Sequence, residues 1–301
     1  VTQTCRNASH FGNIGPKLLK DDKFVTAKRR LQAYLGFVAA VRTRRRIKRI
    51  ITMKTVFLAS VAAATLIAAP AFAQDAVGSA GIGYVHTDAE GFKTDGANLD
   101  GVGAFKVAPE WTVTVNGAVN YADSDLGDDT AASAAAHLTK TFGADLRAGG
   151  FVGVSDIGGE NTFTVGAEVQ KYLASSTLTG LVSYTDLDGA DVWTFGGDAA
   201  YYVNPSLRLN AGVSYSNVDA DLGEADVWAY GAGAEYQFAN SPFSVNGTYQ
   251  RVSTDFANVD VDADIFMIGA RYNFGGTLQS LDRAGANLGR TLAGLPTAFG
   301  F

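Results

Sequence analysis

The feature that most constrains this chain is an alternation of apolar and polar side chains at every second residue, repeated from about residue 80 to residue 274. In WTVTVNGAVNY (111–121), Trp111, Val113, Val115, Gly117, Val119 and Tyr121 fall on one face, and Thr112, Thr114, Asn116, Ala118 and Asn120 on the other. A two-residue period is that of a β-strand, whose successive side chains point to opposite sides. LRAGGFVGV (146–154), FTVGAEVQ (163–170), LTGLVSY (178–184), VWTFGGDAAYYV (192–203), LRLNAGVSY (207–215), VWAYGAGAEYQF (227–238), FSVNGTY (243–249) and IFMIGARYNF (265–274) follow the same rule. Weaker alternation at 80–86, 99–107 and 132–141 brings the expected count to 12 strands.

The connections suggest how these strands are arranged. Short turns (APE 108–110, FGAD 142–145, ASS 174–176, NPS 204–206, NSP 240–242) alternate with what read as longer acidic loops: DSDLGDD (123–129), DLDGAD (186–191), VDADLGEAD (218–226) and FANVDVDAD (256–264). An even number of antiparallel strands with short turns at one end and long loops at the other is the plan of an outer-membrane barrel, short turns periplasmic. Lipid offers no partner to an open sheet edge, so such a sheet must close. The fold expected is all-β, a transmembrane antiparallel up-and-down barrel over residues 74–274.

Side-chain parity assigns the two faces. Aromatics at the apolar parity cluster near strand ends, Trp193 and Trp228 beside the acidic segments and Tyr201, Tyr236, Phe238, Tyr272 and Phe274 near the short turns. These are expected to form two interfacial girdles. Lys140 and Lys171 share the outward parity but lie at strand ends, where their heads can reach lipid headgroups. The opposite parity carries Lys106, Arg147, Arg208 and Arg271 against Asp100, Glu168, Asp198 and Glu235. A charge facing lipid at the midplane costs about 2–4 kcal/mol. These residues are therefore expected to line a lumen, as a transverse field across a constriction or as ion pairs that close the bore. Twelve strands lie between the 8 that side chains just fill and the 16 that leave an aqueous channel.

Residues upstream of the barrel have a different character. From Met53, Lys54 precedes an apolar stretch, Val56–Ile67, and Ala71-Phe72-Ala73, the pattern of a secretory signal cleaved before Gln74. The apolar run is about a dozen residues, short of the ~20 a spanning helix needs. Residues 1–52 hold 13 Lys and Arg against Asp21 and Asp22, a net of +11, whereas residues 74–301 net −18. A basic run, RTRRRIKR (42–49), reads as an anionic-surface patch or a twin-arginine export signal. The reading favoured here is a reading frame called too far upstream, because a targeting signal works from the N-terminus.

At the last strand GARYNF, with Gly269, Tyr272 and Phe274, resembles the closing-strand signal of bacterial outer-membrane barrels, and with the signal peptide and acidic segments the chain is similar to the smaller Gram-negative porins. The resemblance covers Ala76–Phe274. It implies passive diffusion of small hydrophilic solutes or ions, residence in the outer membrane among lipid and lipopolysaccharide, insertion by the barrel-assembly machinery, and a possible homo-oligomer. In typical members the aromatic ends the chain, but here residues 275–301 follow, as a periplasmic tail or a plug.

Other chemistries fit less well. Cys5 is the one cysteine and lies upstream, so the barrel has no thiol chemistry. Of its two histidines, His86 sits at a strand rim and His137 has inward parity beside Ser133 and Thr139, with no orienting acid placed by sequence, so no catalysis is expected. The acidic segments lack the twelve-residue spacing of an EF-hand, and GIG and GAG lie inside strands, which leaves no expected metal, cofactor or nucleic-acid partner. Acidic groups at a mouth concentrate cations, so a mild cation preference is expected. The alternative is a non-conducting structural or surface-interaction barrel.

Overall fold

The computed structural model describes residues 76–124, 127–157, 160–187, 189–220, 223–256 and 259–288. The expectations for residues 1–52 and for the signal at 53–73 lie outside the described residues. Twelve strands form: β1 (Val77–Ala89), β2 (Phe92–Ala108), β3 (Trp111–Ser124), β4 (Gly127–Phe142), β5 (Leu146–Ile157), β6 (Glu160–Tyr172), β7 (Ser176–Leu187), β8 (Ala190–Asn204), β9 (Leu207–Ala220), β10 (Gly223–Gln237), β11 (Phe243–Phe256) and β12 (Val259–Phe274). Each pairs antiparallel with its sequence neighbours, and β1 closes on β12 from Gly78 opposite Phe274 to Ala89 opposite Ala263. Closure leaves no strand edge to satisfy, which permits such a sheet in lipid. No helix among the described residues is long and apolar enough to cross a membrane, a statement that does not bear on strands.

The two parities separate as expected. On β8, Trp193, Phe195 and Tyr201 are exposed on the outside, while Val192, Thr194, Asp198, Ala200 and Tyr202 are buried inside. The outer aromatics pack in cross-strand pairs, Tyr184 with Trp193 and Tyr215 with Trp228 toward one end, Phe243 with Tyr272 and Tyr236 with Phe238 toward the other. Phe274 is half-buried, because its ring lies where a Cβ on Gly78 of the adjoining strand would stand.

The long acidic loops are not there. β3 and β4, β7 and β8, β9 and β10, and β11 and β12 are each separated by two residues, so the stretches read as loops are mostly strand. The reason is that their alternation never stops. On β12, Asp260, Asp262 and Asp264 continue the outward row that Phe266 and Ile268 began, while Val261 and Ala263 turn inward and are buried. The ladder therefore runs past the girdle, giving strands of 12 to 17 residues where about 9–11 suffice to span a bilayer. At the hairpin between β1 and β2, Glu90 and Gly91 both take positive φ (52° and 87°), the backbone of a tight two-residue turn.

Beyond β12, Gly275 and Gly276 carry the chain through φ of 91° and 150° and turn it away from the wall. A short helix α1 (Leu278–Arg283) follows, its N-terminus capped by the Thr277 side chain. It lies inside the barrel at the end bearing Val77 and Phe274. Leu281 and Ala286 pack on Val102 and Ala104 of β2, and Leu278 on Ala200 and Tyr202 of β8.

Candidate functional site: the barrel lumen

Much of the inward face is polar because alternate residues on most strands are hydroxyl, amide or charged, and inside the barrel they bond one another in layers. Nearest the termini, residues 282–285 of the segment after β12 are tied to four strands, and Gln237 of β10 donates to the Gly276 carbonyl (3.3 Å). Asp282 accepts from Thr177 on β7 (2.5 Å) and Tyr202 on β8 (2.8 Å). Arg147 on β5 donates to the Arg283 carbonyl (3.1 Å), and Thr114 on β3 to the Gly285 carbonyl (3.1 Å). Gly285 takes a φ of 98°, which residues with a side chain rarely adopt, and a Cβ there would also press on the Arg147 guanidinium at 2.9 Å.

Above this segment lies a second layer. Arg147 also donates to Tyr172 (2.8 Å) and Thr139 (3.0 Å), and Tyr172 in turn to Gln170 (2.8 Å). Arg271 on β12 is bound by Asp100 on β2 and lies 3.8 Å from Glu235 on β10, whose carboxylate accepts from Ser244 (2.7 Å). His137 on β4 is held between Glu168 (2.8 Å at Nδ1) and Asn116 (2.9 Å at Nε2), with its ring stacked on Phe151 at 5.2 Å.

Over this layer opens a cavity of about 230 Å³, bordered by Asp100, Glu168, Arg208, Glu235 and Arg271 and by the amides of Asn98, Asn210 and Asn246, with Leu288 of the C-terminal segment at its floor. Toward the acidic end Val192, Val218, Ala225 and Val227 pack together on the inner face. On this side of the barrel the polarity is inverted, with an apolar inside and an acidic outside, whereas Thr162, Thr164 and Thr185 keep the inner face of β6 and β7 polar.

The outer rim carries a repeated contact. Tyr84 donates to Asp95 (2.5 Å), Tyr184 to Asp191 (2.5 Å), Tyr215 to Asp226 (2.7 Å) and Tyr249 to Asp264 (2.7 Å), each across a hairpin. These bonds hold Asp95 and Asp226 below the usual aspartate range; the first cause is the tyrosine hydroxyl, helped by His86 at Asp95 and by Asn217 at Asp226.

Of the residues assigned to the lumen from parity, Arg147, Glu168, Asp198, Arg208, Glu235 and Arg271 are buried inside. Arg271 and Glu235 share one cluster with Asp100, and Glu168 belongs to the His137 cluster. Lys106 stands apart, exposed where the register between β2 and β3 shifts at the strand end. Sequence reasoning missed Asp282, Tyr172 and Tyr202, and it gave His137 no acid. The signals present were the Gly275-Gly276 break, the capping Thr277 and the Leu278/Leu281 spacing of a helical turn. The His137–Glu168 contact, across two strand pairings, had none.

No known family profile matches the sequence, and no curated protein matches it either. Solved structures do. An outer membrane channel from Pseudomonas putida F1 superposes with a TM-score of 0.51 at 12% identity, over 66% of this chain and 95% of its own. The KdgM porin (0.46, 10% identity, 65% and 99%) and the NanC porin (0.48, 8%, 64% and 98%) also match. The fold, a closed antiparallel barrel, is shared with the first of these. Val165 and Leu138 are exposed on the outer face between the aromatic pairs of the two ends.

Proposed function

We propose that this barrel is an outer-membrane channel for passive diffusion of small hydrophilic solutes or ions, whose periplasmic mouth is closed by its own residues 277–288 and opens when that segment withdraws. The observation that carries the reading is a cavity inside the barrel that is lined from Thr87 and Thr94 down to Leu288 of the C-terminal segment, with Asp100, Glu168, Arg208, Glu235 and Arg271 on its wall. The acidic rim supports a mild cation preference, because carboxylates within a Debye length of the mouth, about 10 Å at 0.1 M salt, raise the local cation concentration.

Conductance of the full chain from Gln74 in a planar bilayer, beside a chain ended at Phe274, tests this. Ohmic steps that become frequent on truncation are the expected result. Silence from both would favour the non-conducting structural barrel, a reading supported by the hydrogen bonds that seat the segment on four strands. The contacts of His137 favour a structural part over a catalytic one, since Nε2 faces the Asn116 amide oxygen where a hydrolase would set its nucleophile. Hydrolysis abolished by His137→Ala would reverse that.

A further inference from the structure

Three arginines face the lumen, and they differ in what they hold. Arg147 spends its nitrogens on Tyr172, Thr139 and the Arg283 carbonyl. Arg271 is set against Asp100 and Glu235. Arg208, 4% exposed, has Nε and Nη2 buried with no hydrogen-bond partner, although it borders the cavity. Those two nitrogens form one edge of the guanidinium, whose parallel N–H groups match the two oxygens of a carboxylate. Glu235 lies opposite Arg208 in the β9–β10 register, but its carboxylate is engaged by Ser244 and lies beside Arg271. A buried cation lacking an acceptor is costly to the fold unless something else supplies one.

The geometry points to a carboxylate subsite at Arg208, where a small organic acid of single negative charge docks on the Nε–Nη2 edge while Asn210 and Asn246 face its remaining polar groups. Both nitrogens are sealed inside the barrel, so docking requires the terminal side-chain torsions to turn that edge into the cavity. Volume limits the ligand: about 230 Å³ falls below the roughly 300–1,000 Å³ of clefts that hold drug-sized molecules. Charge limits it further. Asp100, Glu168 and Glu235 border the same space with Arg271, so a dianion such as phosphate meets three carboxylates for the one guanidinium edge that lacks an acceptor. The assignment rests on the diffusion-channel reading and names one retained solute class; the acidic rim still favours cations among freely diffusing ions, and salt screening over about 8 Å at physiological ionic strength lets a monoanion pass it. It needs the lumen to be reachable from solution, not to conduct.

The test uses the protein purified from membranes in detergent, with saturation-transfer NMR of lactate and of lactamide, its neutral isostere. Lactate is expected to bind at millimolar concentration and lactamide not. Arg208→Gln should weaken lactate at least tenfold, Arg208→Lys less, because the ammonium keeps the charge and loses the fork, and Lys93→Gln on the outer face not at all. Heat-modifiable gel mobility checks folding; if Arg208→Gln fails to fold, a loss of lactate affinity in Arg208→Lys supports the subsite in its place. No transfer to lactate, equal transfer to lactamide, or unchanged affinity in the folded Arg208 variants overturns the subsite. A barrel that binds lactate without conducting refutes the channel alone, and one that conducts without binding lactate refutes the subsite alone.

Discussion

Leu281→Ala isolates the hold of the C-terminal segment on the bore. Leu281 is 3% exposed and packs on Val102 and Ala104 of the wall and on Ala286 of its own segment. Truncating a leucine so enclosed costs about 2–5 kcal/mol. The site lies at the mouth of the barrel, where water can refill the space, so the lower part of that range, ~2–3 kcal/mol, is the expectation. The barrel wall does not depend on this contact, since its strands are fully paired without it, and the cost therefore falls on docking of the segment. At 1.36 kcal/mol per tenfold the undocked population rises roughly 30- to 150-fold. In planar bilayers the open probability should rise accordingly while unit conductance matches that of the chain ended at Phe274, because both report the same unobstructed bore. An unchanged open probability in Leu281→Ala, with the truncated chain conducting freely, would refute the packing argument. A unit conductance different from the truncated chain's would show that the segment does not leave as a whole.

Gly285→Ala should also loosen the segment, since the added Cβ meets Arg147 Nη1 at 2.9 Å and the φ of 98° is strained for alanine; its open probability is expected to rise at least tenfold. Val165→Arg, on the exposed outer face of β6, should cost about 2–4 kcal/mol in guanidinium unfolding from lipid vesicles, whereas Thr164→Lys, one residue away inside, should cost less than half as much. Cation preference should survive acidification to the ordinary aspartate value of 3.8. Asp95 and Asp226 have depressed folded-state pKa values, so they keep their charge, and the contribution of their tyrosine bonds, above 3.8 and lose both only as pH falls through the lower folded values. A reversal potential already neutral at pH 5 would contradict this. Trp193→Ala with Trp228→Ala should slow insertion into lipid without changing conductance, measured by the rate at which the heat-modifiable form appears.

Alternation alone carried the barrel, because a period of two is a local property and each strand declares its two faces without reference to any other. For the same reason parity could name Arg147, Arg208, Glu235 and Arg271 as inward but could not pair them. Arg271 meets Asp100 only through closure of β12 on β1, a contact between residues 171 apart in sequence. Lys106 has the right parity and the wrong depth, since parity says nothing about where along the wall a side chain ends. The acidic stretches mislead because aspartate is depleted in strands on average. Here the aspartates face water from the outside of a ladder whose inner residues are valine and alanine, and tyrosine hydroxyls from the neighbouring strand receive them.

That inversion bears on the function. Within the bilayer the outside must be apolar and the inside is free to be polar. Above the girdle the requirement lapses, since both faces would meet water, yet the chain places Val192, Val218, Ala225 and Val227 inside and Asp95, Asp191, Asp226 and Asp264 outside. Valines facing a wide water-filled vestibule would gain nothing by that placement; packed on one another they remove apolar surface from water at about 25 cal/mol per Å². The acidic extension is therefore narrowed on the β8–β11 side by its own contacts, and the cavity extends toward that end along the small residues and amides of β1–β5. Val192→Asp together with Val227→Asp should break that packing and widen the approach, raising the conductance of the chain ended at Phe274. If that conductance stays the same, the narrowing lies elsewhere, and the charged layer around Arg271 becomes the constriction.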